Sequence, residues 1–220
     1  MKQALTRFIF LFILVGGGAT AVYFSLYYTP DLPVYNPSDI NIKLVDKSKR
    51  GIIRDHTVGN FSLINQLGEN ITDKDFDNKI YVANFIFTTC EGICPAMTGN
   101  VASVYKEFIN DDEILLLSHT VTPEIDSFPV LKKYSQEKGV LDSKWNMVTG
   151  DKKQIYNLAR KSYLVAEDIE SPVKYDMIHT ENFVLVDSKR RIRGFYDGTD
   201  IDVMEDLIND IKILKKEESN

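Results

Sequence analysis

Ile80-Tyr81-Val82-Ala83-Asn84-Phe85-Ile86-Phe87 holds one polar residue and shows no apolar–polar alternation, and it limits the fold more than any other stretch of this 220-residue chain. A β-branched and aromatic run of that kind reads as a strand buried on both faces. Such a strand needs cover above and below, which directs the chain toward an α/β fold with helices flanking a mixed central sheet. The run leads straight into Thr88-Thr89-Cys90-Glu91-Gly92-Ile93-Cys94-Pro95, which carries both cysteines of the protein. Pro95 suits the first turn of a helix, where a missing N–H costs nothing. Beyond it Met97, Val101, Val104, Tyr105 and Phe108 recur at helical spacing, on one stripe. Residues 80–108 therefore read as strand, thiol loop and helix, with the helix N-terminus aimed at the thiols.

That arrangement has chemical consequences. The free N–H groups and partial positive charge of a helix N-terminus favour thiolate over thiol. A thiolate is the nucleophile of disulfide exchange and also a ligand for soft metals. Residues four apart on a regular helix hold their Cβ atoms about 5–6 Å apart, whereas a disulfide needs about 3.8 Å. Oxidation of the pair therefore requires Cys90 to lie off the helix, in the loop that Gly92 softens. The same pair can chelate one ion without that closure, since metal–sulfur bonds run to about 2.3 Å. A purely structural bridge is the weaker alternative, because closing so short a loop gains only about 2 kcal/mol in the chain-entropy model.

The chain is long enough for one well-packed domain plus a small addition. Its net charge is -6; residues 1–30 contribute Lys2 and Arg7 and no acid, so the remainder carries -6 - 2 = -8. An acidic domain with no basic run is a poor nucleic-acid binder. Residues 1–28 read as a signal-anchor, with Lys2 and Arg7 ahead of 21 uncharged residues, 8–28. About 20 apolar residues span a bilayer as a helix, and basic residues on the N-terminal side keep that end cytoplasmic. The expected location is the inner (cytoplasmic) membrane, crossed once, with the C-terminal domain on the periplasmic side. Cleavage at Ala19-Thr20-Ala21 is the competing reading, and no cysteine near position 20 offers a site for lipid attachment. Residues 29–40, with Pro30, Pro33 and Pro37, read as an extended tether; 41–216 form the domain and 217–220 a tail.

Short strands are expected between 45 and 72, with a hairpin turning at Gly68-Glu69-Asn70. Residues 113–120 and 145–149 read as further strands, 128–138 as a short helix, and 150–161 as a helix starting at Gly150-Asp151. Residues 168–176 are polar and irregular. A second hairpin joins 183–186 to 192–196. Thr199 or Asp200 caps a last helix whose Ile201, Met204, Leu207, Ile208, Ile211 and Leu214 form one face.

The chain has three histidines. His56 lies in a loop without a visible partner, and His119 follows a strand and reads as a hydrogen-bonded structural residue. His179, in Tyr175-Asp176-Met177-Ile178-His179-Thr180, precedes the second hairpin. If that hairpin's first strand neighbours residues 80–87, its imidazole faces the thiols.

Thr89-Cys90-x-x-x-Cys94-Pro95, Thr122-Pro123-Glu124-Ile125-Asp126, Thr149-Gly150-Asp151 and His179-Thr180 together resemble the Sco/SenC family, over about residues 40–210. The resemblance implies a membrane-anchored, thioredoxin-like protein that binds one copper ion and helps assemble the copper A centre of cytochrome c oxidase. Carried over residue by residue, the family's copper ligands are Cys90, Cys94 and His179. The implied partners are the copper A subunit of the oxidase and another copper chaperone or thiol reductase. Three residues depart from the family pattern: Glu91 replaces a usual proline, and Ile178 and Thr122 each replace an aspartate. Asp126 and Asp176 are then the nearby carboxylates that could orient His179. Two thiolates and an imidazole favour copper or zinc over magnesium or calcium, and copper(I) accepts three ligands where structural zinc wants four. Met97 could lend a thioether or pack in the core. Two functions share these atoms: a copper metallochaperone that turns over no substrate, and a thiol-disulfide oxidoreductase with Cys90 and Cys94 as its redox-active, catalytic pair.

Overall fold

The computed structural model describes residues 2–27, 31–90, 92–140, 144–166, 178 and 180–219. It divides into two units, Met1–Asp31 and Leu32–Asn220. The first is the helix α1 (Lys2–Tyr27), whose Phe10, Phe12 and Leu14 are exposed. Among the described residues no helix is long and apolar enough to cross a membrane. The structure therefore adds helicity to the expected anchor, and the crossing rests on the sequence.

The second unit is built on a mixed seven-stranded sheet. Its strands are β1 (Ser62–Asn65), β2 (Asn70–Thr72), β3 (Ile80–Ile86), β4 (Ile114–Thr120), β5 (Trp145–Thr149), β6 (Asn182–Val186) and β7 (Ile192–Asp197), in spatial order β2-β1-β5-β4-β3-β6-β7. Every residue of β3 is buried. It lies in the middle because both neighbours cover its edges, β4 in parallel and β6 antiparallel. The alternation of a strand sends its side chains to two separate cores. Tyr81, Ala83 and Phe85 pack toward α4 (Lys152–Asn157) and the β1–β2 hairpin, which adds to the sheet edge as expected. Ile80, Val82 and Ile86 pack toward α2 (Cys94–Glu107), α3 (Phe128–Glu137) and α5 (Ile201–Glu218). This is the thioredoxin-like layering that the sequence motifs implied.

Asp200 caps α5 by accepting from the Asp202 N–H, and Asp151 caps α4 by accepting from the Gln154 N–H. The helix expected over 150–161 continues past α4 as a wider π turn, Leu158–Ser162. Asn84, the polar member of β3, accepts from Ser118 Oγ, which in turn accepts from Trp145 Nε1 at 2.8 Å.

Two expectations change. No strand forms over 45–61: Asp46 turns the backbone by accepting from Lys49 N–H and Ser48 N–H, and Asp55 adopts a left-handed φ of 61°. The result is a lobe of short turns held down by buried Val45, His56 and Val58. His56 has a partner after all, its Nε2 lying 2.8 Å from the Ser162 carbonyl. The tether expected over 29–40 is packed on the domain from Leu32 onward. Tyr35 pairs with Ile192, and Arg193 donates to the carbonyls of Leu32 and Pro33. Proline spacing alone suggested an extended spacer; a buried guanidinium 160 positions away supplies the partners that bind it down.

Candidate metal centre

The thiol loop leaves the C-terminal end of β3 and is closed by the Cys90 N–H donating to the Phe87 carbonyl at 3.3 Å. Cys94 is the first residue of α2 and Cys90 lies off the helix, as closure of the pair would require. Both thiols are free; Cys94 is buried and Cys90 half-buried. Burial pushes the Cys90 thiol up, but the Cys94 thiol and the N–H groups of Cys94, Gly92 and Ile93 donate to its sulfur and hold it below the ordinary thiol value. Burial and the hydrogen bond to Cys90 push Cys94 up to about 12. The pair is thus divided into an accessible, acidic thiol and a sheltered one that keeps its proton.

A thiolate is the species that alkylates, so the reactive fraction of Cys90 persists to lower pH than that of an ordinary thiol. Iodoacetamide at neutral pH should label Cys90 well ahead of Cys94, and acidification should suppress that labelling as the proton returns to the Cys90 sulfur. Mass spectrometry of the native chain reads both rates; equal labelling of the two sulfurs would contradict the asymmetry.

Asp126 grips the base of the loop. It is fully buried, and its carboxylate accepts from Thr88 N–H at 3.2 Å, from Thr122 Oγ1 at 3.0 Å and from the hydroxyls of Thr88 and Thr120. Four donors to one carboxylate satisfy its oxygens in a buried setting. Its contacts are to the threonines at the ends of β3 and β4, so Asp126 orients the loop that bears Cys90. Thr122, which stands where the family has an aspartate, supplies one of those donors. Sequence reading offered Asp126 as a carboxylate that could orient His179 and did not pair it with Thr88, Thr120 and Thr122; the signal was present in the threonines that close both strands. Thr98 and Tyr134 form a further polar contact below the helix start, with their hydroxyls 2.8 Å apart.

A cavity of about 60 Å³ opens beside the sulfurs. Cys90, Cys94, Met97 and Phe87 line it, and so do Ile178 and Thr180. Position 179 is thus flanked on both sides by cavity-lining residues. His179 itself, Asp176 and Glu91 lie outside the described residues. Among the described residues no group of three His, Cys, Asp or Glu side chains is placed to hold a metal ion. Met97 is fully packed in the core and also borders the cavity. His119 is a core residue. It stacks on Phe85 at 5.1 Å, its Nε2 lies 3.3 Å from Tyr163 Oη, and burial pushes its pKa down to about 3, so it stays neutral.

A family model described as SCO1/SenC matches residues 50–215. The SCO1 protein homolog of Bacillus subtilis (strain 168) is 30% identical over 155 residues, covering 69% of this chain and 79% of the relative. Among solved structures, BsSco, described as a member of the Sco family of cytochrome c oxidase assembly proteins with a disulfide switch, matches at a TM-score of 0.62 and 28% identity, over 73% of this chain and 94% of that one. Yeast Sco1 with copper bound matches at a TM-score of 0.56 over 72% and 90% of the two chains; at 22% identity this is a likeness of fold.

Proposed function

Because the chain belongs to the SCO1/SenC family, we propose that it is a copper metallochaperone, carrying one copper ion on Cys90, Cys94 and His179 for assembly of the copper A centre of cytochrome c oxidase. The observation that carries this reading is the shared cavity: both sulfurs and the two neighbours of position 179 line one space. Donor chemistry supports it, since two sulfurs and an imidazole match soft copper(I), and the chain has no third cysteine to complete a structural zinc site. The copper is cargo. Cys94, buried at the start of α2, is the retaining ligand, and Cys90, half-buried in the loop whose base Asp126 grips through Thr88, is where a recipient's ligand enters. The anchor proposed over residues 1–28 keeps the domain beside a membrane-bound recipient, outside the cytoplasm.

The two free thiols favour a second reading, and BsSco, at 28% identity, is the relative described with a disulfide switch. In dithiol exchange the Cys90 thiolate attacks a partner's disulfide, forming a mixed disulfide and releasing one partner thiolate. Cys94 then gives up its proton and attacks the Cys90 sulfur, releasing the second partner thiol and leaving a Cys90–Cys94 disulfide.

Titration of the reduced full chain in detergent with copper(I), against a chelator of known affinity, separates the readings. The expected result is one tightly held equivalent that protects both cysteines from alkylation. Failure to compete with the chelator would leave only the exchange reading.

A further inference from the structure

The lobe over residues 41–54 has a charge unlike the rest of the chain. It contains Lys43, Lys47, Lys49, Arg50 and Arg54 against the single acid Asp46, a net of +4 in 14 residues; the chain carries -6 and residues 1–30 carry +2, so everything else sums to -6 - 2 - 4 = -12. Asp46 is buried and bound by Ser48 and Lys161, so it does little to offset the outward charge. Two exposed acids, Asp39 and Asp55, border the lobe and leave residues 39–55 with a net charge of +2. Asp39 accepts from the Asn36 N–H, and the His56 N–H beside Asp55 donates to Asn36 Oδ1. Among the cations two isoleucines stand out in water: Ile42 is 62% and Ile53 66% exposed.

The position of the lobe is as telling as its composition. The stretch of chain that follows it is fastened to the β6–β7 turn, through Val58 N–H donating to the Arg190 carbonyl. β7 is antiparallel to β6 and β6 to β3, so β7 runs with β3 and its first residue lies at the end of the sheet opposite the thiols. Leu32, where the domain begins, is held at that same end by Arg193 and Glu217. The domain's first residue and the segment that follows this basic lobe therefore share an end, and the thiol cavity lies at the other, the length of β3 or about 20 Å away.

We infer that residues 41–54 form a docking surface for anionic lipid headgroups, with the cations against the phosphates and Ile42 and Ile53 entering the interface. This rests on the membrane-anchored reading given above. Docked in this way, the domain stands on the bilayer with its entry end down and presents Cys90 to a partner away from the lipid. Basic side chains gain from an anionic surface within a Debye length, and exposed aliphatic residues gain from partial burial.

The test uses the full chain in vesicles of phosphatidylcholine alone and of phosphatidylcholine with phosphatidylglycerol, read by hydrogen–deuterium exchange. Exchange over 41–54 should slow by about tenfold or more only with phosphatidylglycerol, as expected for two or more cations near the surface. Lys43→Glu with Arg54→Glu, or Ile42→Ser with Ile53→Ser, should return it to the neutral-vesicle rate. Equal exchange in both vesicles, slowing that survives these substitutions, or slowing around 88–98 instead would overturn the docking surface. A later alkaline carbonate wash reports on the anchor separately. Release by carbonate refutes the anchor while headgroup-dependent slowing still upholds the lobe, and retention without slowing does the reverse.

Discussion

Replacing His179 by alanine will lower affinity for copper(I) by at least about a hundredfold, because a lost ligand should cost no less than the 10–100-fold usual for outer-shell partners. The two sulfurs stay where the loop puts them, so the asymmetry in thiol reactivity and the rate of exchange with a small disulfide should remain within about twofold of the parent, as expected for thiolates whose acidity is set by local N–H groups. Ile178 and Thr180 line the thiol cavity, and β6 begins at Asn182, which ties that segment to the sheet beside β3. A chelator competition on parent and variant decides the matter. Undiminished affinity would remove the imidazole from the site and, with it, the need to regard the chain as a copper carrier. Loss of affinity together with loss of thiol asymmetry would point instead to a disturbed loop, which His179→Gln, of similar size, would reveal by sharing the defect in thiol labelling.

The second large effect lies at the opposite end of the sheet. Arg193 is 2% exposed and its guanidinium reaches Asp187 at 3.2 Å, Glu217 at 2.7 Å and the carbonyls of Leu32 and Pro33 at 2.6 and 3.0 Å. Arg193→Met keeps the apolar stem but leaves Asp187, which is fully buried, with Arg191 as its remaining cation. Removing one partner of a buried ionic cluster costs about 3–5 kcal/mol, which for a domain of this size corresponds to roughly 10 °C in Tm. The segment from Leu32 to Tyr35 should open at the same time and be cut sooner by protease. Arg193→Lys should fall between, because an ammonium cannot address four acceptors with the fixed fork of a guanidinium. A Tm change below about 2 °C, less than 1 kcal/mol at this size, would mean that the cluster is dispensable.

Much of the architecture was legible locally. β3 announced itself because a run buried on both faces tolerates almost no polar residue, and α2 because proline and a regular apolar stripe mark its start and inner face. The same kind of reading failed over 45–61, where short strands were expected but Asp46 and Asp55 turn the backbone. It failed over 32–37, where prolines suggested a free spacer and Arg193 supplied an attachment. The grip of Asp126 on Thr88 spans 38 positions, and no local pattern contains it.

The sequence by itself determined the order of strands and helices, the placing of two thiols at a helix N-terminus, and the family, since these follow from short-range periodicity, capping and motif. Only the tertiary structure decided that Cys94 is sheltered while Cys90 faces outward, and that Asp126 holds their loop. It alone put the segment that follows the basic lobe and the domain's first residue at the end of the sheet away from the thiols. Burial, buried hydrogen-bond partners and the end of a sheet at which a loop emerges depend on how distant segments pack, and the packing of β3 between β4 and β6 is what fixes them.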